Sequence, residues 1–396
     1  MAVVGIVSEF DPFHNGHNYL VEEAKRVTNA DAVVTVMSGS FTQRGMPSMV
    51  SKSAKTECAL LGGVDIVLEL PVTFALSSAE RFAFGAVSIL DSCGIVTHIA
   101  FGSECADIDK ITRVARAAVK QTVIDRIKEL MKSGSSFACA RKTAVCEEIG
   151  DDCDVLDSPN DILAVEYVKA LDKLNSSIIP VTIKRMGAMH GADAPSNNIA
   201  SASFIRNCVT RDKDVKDFVP ESTYNILCRE KRNGDLRFLT DRPIMLGFRR
   251  VDKEYFSLLP EVREGLENRL YTAASICTSF DQFVSSVSCK RYTAASVRRI
   301  AMYGMIGITV DLLTDSPEYV RLLGATKNGE AYLKAMKQNC RLPMITKTAD
   351  AENLLKLEIR ASMVASAFAE KIGESDEEYK KLPIFTKYLT ESKNKC

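Results

Sequence analysis

Apolar runs alternate with amphipathic stretches through the first half of the chain, and that alternation predicts a sheet wrapped by helices. Ala2-Val3-Val4-Gly5-Ile6-Val7 reads as a buried strand, and Asp11-Pro12-Phe13 stops it, because proline cannot continue a ladder. Leu20, Val21, Ala24 and Val27 then recur at helical spacing opposite Glu22, Glu23, Lys25 and Arg26. The same reasoning predicts strands at Ala32 to Met37, Asp65 to Leu70, Ile95 to Phe101 and Ile178 to Ile183. Helices are predicted from Lys52 to Leu61, closed by Gly62-Gly63, and after a cap at Ser77 or Ser78. Two more run from Ile108 through Met131 and from Asp161 to Leu174. The expected fold class is α/β, a Rossmann-like parallel sheet with helices on both faces, whose ligands sit beyond the carboxyl ends of the strands.

Beyond about Asp212 the pattern changes. Helical periodicity takes over, through Tyr271 to Val287, Ala294 to Met305 and Ala351 to Ile372, and strand-like runs become rare. Turns rich in Asp, Gly and Pro, such as Asn233-Gly234-Asp235 and Thr314-Asp315-Ser316-Pro317, punctuate it. The expected organisation is a catalytic domain over 1–212 followed by a mainly α-helical domain over 213–396, and 396 residues suffice for two cores. The Glu374 to Lys381 run is highly charged, and the Lys393 to Cys396 tail is expected to fray.

A content of 46% hydrophobic and 26% charged residues describes a globular chain. No apolar stretch of about eighteen residues escapes a charge, so no membrane span is expected. The amino terminus enters a strand without a basic leader, so no secretory signal and a cytoplasmic location are expected. Its twelve cysteines form no paired framework and no C-x-x-C, so reduced, mostly buried thiols are expected. Lys plus Arg at 51 balances Asp plus Glu at 51. Any nucleic acid must therefore be held by a local patch.

Candidate chemistry concentrates where the first strand hands over to the first helix. Two of only four histidines lie on one turn, His14-Asn15-Gly16-His17. Unsatisfied backbone N–H groups and the positive end of the helix dipole meet there, which suits a triphosphate. Gly16 would let a base or ribose approach the backbone. Zinc would need a third ligand that no nearby Cys or His supplies, so no metal site is expected. Three loop residues converge on the same crevice. Gly102 follows the fourth strand, Asn160 opens a helix with a donor and an acceptor, and Arg185, with Gly187 nearby, could pair with phosphate oxygens. Taken singly, these three also read as a turn glycine, an N-cap and a surface ion pair.

The string Gly5-Ile6-Val7-Ser8-Glu9-Phe10-Asp11-Pro12-Phe13-His14-Asn15-Gly16-His17 resembles the HxGH signature of the nucleotidyltransferase superfamily. With Phe41-Thr42-Gln43-Arg44-Gly45, Lys52, Ser158-Pro159-Asn160-Asp161-Ile162-Leu163 and Glu166-Tyr167, the chain is similar to the bacterial tRNA(Met) cytidine acetate ligases over most of its length. Ile199 to Arg206 resembles the second superfamily motif, in which hydroxyls and an arginine at a helix start grip departing pyrophosphate, with Ser203 where threonine is usual. Met49-Val50-Ser51-Lys52-Ser53 superficially resembles the lysine signature of class I aminoacyl-tRNA synthetases, but it lies too near the histidines to serve that role. The resemblance implies an ATP site formed by Val7-Ser8-Glu9-Phe10-Asp11-Pro12-Phe13-His14-Asn15-Gly16-His17-Asn18-Tyr19-Leu20 with Gly102, Asn160 and Arg185, and His14 and His17 as catalytic residues. It further implies ATP as co-substrate with Mg on the phosphates, acetate as the acid activated, and elongator tRNA(Met) as acceptor, giving N4-acetylcytidine at the wobble position.

The residues by themselves support ATP binding, adenylyl chemistry and an RNA surface. That surface would draw on Arg229, Lys231 and Arg232, on Arg249-Arg250 after Phe248, and on Lys290-Arg291-Tyr292 with Arg298-Arg299, since RNA sites join charge to stacking rings. Any one cluster also reads as a solvated helix face. Two other functions remain open here: an adenylyltransferase acting on a small molecule, which leaves the helical half unexplained, and a non-catalytic nucleotide- or RNA-binding module.

Overall fold

A computed structural model describes residues 2–186, 198–263 and 265–386, so Gly187 and the tail after residue 386 lie outside the described residues. Five parallel strands form the centre: β1 (Val3–Ser8), β2 (Ala32–Ser38), β3 (Ile66–Leu70), β4 (His98–Ser103) and β5 (Ile179–Lys184). From the other half of the chain come β6 (Val320–Ala325), β7 (Met344–Ile345) and β8 (Ile384–Phe385). Their order is β5-β4-β1-β2-β3-β6-β7, with β8 paired to β6 and β6 antiparallel to β3.

Strand alternation explains why both faces are apolar. Val3, Val34, Val36, Ile66 and Leu68 enter one core with the helices Ala79–Ser92, Ile108–Ala118 and Pro159–Leu174. Val4, Ile6, Val33, Met37 and Val67 enter the opposite core with the helices Asn15–Thr28, Lys52–Leu61 and Ala202–Thr210. Each such fully buried Val or Ile contributes about 1.5–3 kcal/mol. β1 and β4 are neighbours although β1 leads to β2 on its other side, so a topological switch point opens between the carboxyl ends of β1 and β4.

Several elements differ from the sequence reading. The long helix expected over Ile108 to Met131 is two, Ile108–Ala118 and Gln121–Lys132. Lys120 is extended at φ −65°, ψ 139°, and this turn brings Val123 and Ile127 into the same core as Ile111 and Val114. Likewise the helix expected over Tyr271 to Val287 breaks into Leu266–Ile276 and Phe280–Val287, the second capped by the Ser279 side chain. In place of the helix expected over Ala351 to Ile372, an α-helix spans Lys356–Ser366. β6 was not foreseen, because Val-Arg-Leu-Leu-Gly-Ala carries a charge at its second position. Arg321 is buried there nonetheless, beside Glu69 and Glu378. The cysteine expectation also needs correction: Cys146 and Cys153, seven residues apart with Cα atoms 5.2 Å apart, form a disulfide.

The second half builds a third core around Phe248, Phe256, Phe280, Phe283 and Met302, and Phe41, Val72 and Leu76 of the first half insert into it. Among the described residues no helix is long and apolar enough to cross a membrane.

Candidate functional site

The first helix begins at an unusual cap. His14 is the N-cap residue of Asn15–Thr28, its Nδ1 accepts the His17 backbone N–H at 3.3 Å, and the His17 Nδ1 accepts the His14 backbone N–H at 3.3 Å. This reciprocal pair is a capping box made of imidazoles. The two rings stack with centroids 3.6 Å apart at an interplanar angle of 17°. An imidazole nitrogen that accepts carries no proton, so this cap assigns the hydrogen of each neutral ring to Nε2. Burial and the nearby Arg185 push His14 down to about 3, and burial, His14 and Arg185 hold His17 well below its ordinary value, with the Pro12 carbonyl resisting. Both rings are neutral donors at neutral pH.

They line a cavity of about 490 Å³ at the switch point. Val7, Ser8, Glu9, Phe10, Asp11, Gly16, Tyr19, Leu20, Gly102, Asn160 and Arg185 line it too. Four residues of the expected stretch have other tasks. Phe13 is buried and packs edge-on against Phe10 with centroids 4.8 Å apart, beneath His17. Pro12 is buried beside it. The Asn15 amide donates to the Asn198 and Asp217 carbonyls at 2.9 Å, and Asn18 donates to Glu22. Gly16 also differs from its sequence reading. A Cβ there would lie 3.0 Å from His14 Cε1, so the absent side chain makes room first for the partner imidazole.

The far wall is organised by a carboxylate that sequence reasoning missed. Glu104 Oε1 accepts from the Asn160 amide and pairs with Arg185 Nε at 3.4 Å, so one residue orients both predicted ligand contacts. Asp161 holds the turn that carries Glu104, taking its backbone N–H at 2.9 Å and that of Cys105 at 3.1 Å, together with the Ser103 hydroxyl. A Cβ on Gly102 would lie 3.3 Å from Arg185 Cγ, so the glycine admits the stem of that arginine. Glu104→Ala is expected to raise KM for ATP roughly tenfold with kcat little changed, the worth of about one charged hydrogen bond. Initial rates against ATP concentration check this, and a lowered KM would mean that Glu104 competes with ATP for Arg185.

At the amino end of Ala202–Thr210, Ser201 caps the helix by accepting the Phe204 N–H at 3.1 Å. Arg206 donates to the Asp11 carbonyl at 2.7 Å and to Ser203 Oγ at 3.1 Å, which puts a cation on the histidine side of the cavity. Two carboxylates hold the loop that forms the opposite rim. Glu9 Oε1 accepts the Gln43 N–H and Asp11 Oδ1 accepts the Met49 N–H, each at 2.6 Å. Below them Lys55 is fully buried and donates to the Ser38 and Gly39 carbonyls at 2.7 and 3.1 Å and to Ser48 Oγ. Burial pushes it down to about 8 against the pull of Asp11 and Glu9. Phe82, Phe101 and Tyr167 complete that side of the cavity.

Lys52 does not reach the cavity, because it pairs with Glu69 and Glu378 in the core. Of the expected basic clusters, Arg299 is buried in a bidentate pair with Glu261, Arg229 pairs with Glu57 and Glu230, Lys231 pairs with Asp212, and Arg249 donates to the Ala274 and Cys277 carbonyls. Lys290 and Arg291 are exposed. The Gly45 turn of the rim loop packs on the backbone of Arg298 and Arg299, where a Cβ would come within 2.6 Å, so the helix Ala294–Ile306 adjoins the cavity mouth.

The sequence model of the family described as HIGH Nucleotidyl Transferase matches residues 1–380. A tRNA(Met) cytidine acetate ligase of Fervidobacterium nodosum is 39% identical, covering 95% of this chain and 90% of its own. That of Clostridium perfringens is 38% identical, covering 92% and 95%. Among solved structures, apo Thermotoga maritima TmcAL superposes with a TM-score of 0.92 at 34% identity, over 97% of this chain and 99% of its own. A second crystal form of TmcAL, bound with alpha-thio ATP, gives 0.90 with the same identity and coverage. On this similarity and on its imidazole-capped cavity, the chain belongs to the tRNA(Met) cytidine acetate ligase family of HIGH nucleotidyl transferases.

Proposed function

We propose that this chain activates acetate with ATP and transfers the acetyl group to the wobble cytidine of elongator tRNA(Met), forming N4-acetylcytidine. The observation that carries the reading is the stacked, reciprocally capped pair His14 and His17 at a helix amino terminus in the cavity. Acetate attacks the α-phosphorus of ATP, giving acetyl-adenylate and pyrophosphate. His14 and His17 donate to phosphate oxygens as charge grows there, and Arg206 and Arg185 add positive charge, so the work is positioning and electrostatic stabilisation. The cytidine amine then attacks the activated carbonyl, and AMP leaves.

Magnesium would ride on the triphosphate oxygens. Among the described residues no group of three or more His, Cys, Asp or Glu is placed to cage a metal ion, and Asp11 is already engaged by Arg206 and the Met49 amide. We place the catalytic machinery in 1–212 and the tRNA surface in 213–396. Lys290 and Arg291 are exposed just before the helix that packs on the rim loop, and they offer charge to the tRNA. The protein would act in the cytoplasm, where its tRNA substrate resides.

Incubation with ATP and labelled acetate, with and without tRNA, tests this reading. Label in tRNA(Met) is the expected result. Pyrophosphate release with a small-molecule acceptor would instead assign an adenylyltransferase, and binding without turnover a nucleotide or RNA sensor.

A further inference from the structure

The acyl-transfer step leaves one requirement unmet by the histidines and arginines. When cytidine N4 bonds to the acetyl carbon and the carbonyl–phosphate bond breaks, the amine must lose a proton, and AMP departs as an anion that takes none with it. The cavity offers few groups able to accept it. His14 sits at about 3, His17 is likewise held far below neutrality, and both Nδ1 atoms already accept backbone N–H bonds, so neither ring takes up a proton readily. Burial keeps the Tyr167 phenol far above neutrality, hence protonated. Lys55 spends its hydrogens on Ser38, Gly39 and Ser48 and does not line the cavity. Asp11 is committed to Arg206 and the Met49 amide.

Glu9 remains. It lines the cavity at the carboxyl end of β1, and its one hydrogen bond among the described residues runs from the Gln43 amide to Oε1. A carboxylate repels phosphate oxygens but accepts from N–H donors, so it suits an incoming amine. Phe82, Phe101 and Tyr167 also line the cavity, so the wall near the carboxylate is aromatic and apolar.

We infer that Glu9 is the general base of the second step, taking the N4 proton of the cytidine as the amide bond forms. The inference rests on the function proposed above. The groups facing Glu9 are Asp11 on its own segment, Lys55 and Arg206 from two helices, the Gln43 amide from the rim loop and Tyr167 from the helix behind. Burial outweighs the Gln43 amide and Lys55 and raises the carboxyl above its ordinary value, toward the range a base needs at working pH.

The two half-reactions separate this role from any other. In Glu9→Gln the amide oxygen still accepts from Gln43, so the rim loop stays anchored. Single-turnover transfer from preformed acetyl-adenylate to tRNA(Met) should fall roughly 100-fold, far more than acetate-dependent exchange of pyrophosphate into ATP falls. In the unsubstituted protein the transfer rate should climb with pH along an acidic limb set by one group, and the limb should vanish in Glu9→Gln. Equal loss of exchange and transfer, unchanged transfer, or a parent profile with no acidic limb would each overturn the assignment. Failure of the parent protein to acetylate tRNA at all would strike the proposed function instead.

Discussion

His17→Ala should cut acetate-dependent pyrophosphate exchange by roughly 100- to 1000-fold, the usual loss when one preorganised donor to a developing oxyanion is removed. The effect should fall on kcat more than on KM for ATP, because the donor matters most where negative charge increases. Stability should suffer far less. The substitution removes half of the capping box and one stacked ring, worth about 1 kcal/mol for a lost cap, and thermal unfolding of the variant reads that separately. Both imidazoles stay neutral at neutral pH, so the exchange half-reaction should show no limb near the ordinary histidine range. A limb there would mean that a ring titrates, contrary to the burial that holds His14 at about 3.

Arg321→Met should destabilise the protein by about 3–5 kcal/mol, a large part of the 5–15 kcal/mol typical of a folded domain. Arg321 links Glu69 and Glu378 at 2.8 and 2.7 Å, Lys52 pairs with both carboxylates from the other side, and all four are buried. Removing one cation leaves two carboxylates sharing Lys52 alone. The cluster joins β3, β6 and the segment before β8, so its loss should loosen the returning chain from the sheet edge. Burial would raise Glu378, but Lys52 and Arg321 hold it well below the usual carboxylate range, down to about 2. A depressed carboxylate stabilises above its unfolded pKa and loses that contribution as pH falls through the folded value. The parent should therefore lose stability from about pH 4.3 downward. Denaturant titrations across that window check both statements, and a variant as stable as its parent would contradict them.

Much of this was legible in the sequence. The four central helix and strand pairs announced themselves because strands buried on both faces read as unbroken apolar runs, and Ser51, Ser78 and Ser201 cap where hydroxyls were available. The histidine turn was visible because His14 and His17 sit three apart at a strand-to-helix junction. What stayed hidden depended on distant partners. Arg321 interrupts the apolar run of β6, and its burial depends on the distant Glu69 and Glu378, while Lys120 gave no signal that it turns a long helix in two. Glu104 and Asp161, which orient Asn160, Arg185 and the turn after β4, lie 56 and 57 residues from their partners, and no local pattern marks such pairs. The pairing of the basic clusters was equally hidden, since Arg229, Lys231 and Arg299 pair with acids remote in sequence.

The central claim is that stacked, neutral imidazoles present Nε2–H donors to the triphosphate. A crystal structure of this chain with a non-hydrolysable ATP analogue tests it most directly. The expected result is phosphate oxygens within about 3 Å of His14 and His17 Nε2, with both Nδ1 atoms still accepting backbone N–H bonds. A triphosphate lodged away from the rings, or rings turned so that Nδ1 faces the phosphates, would contradict the account.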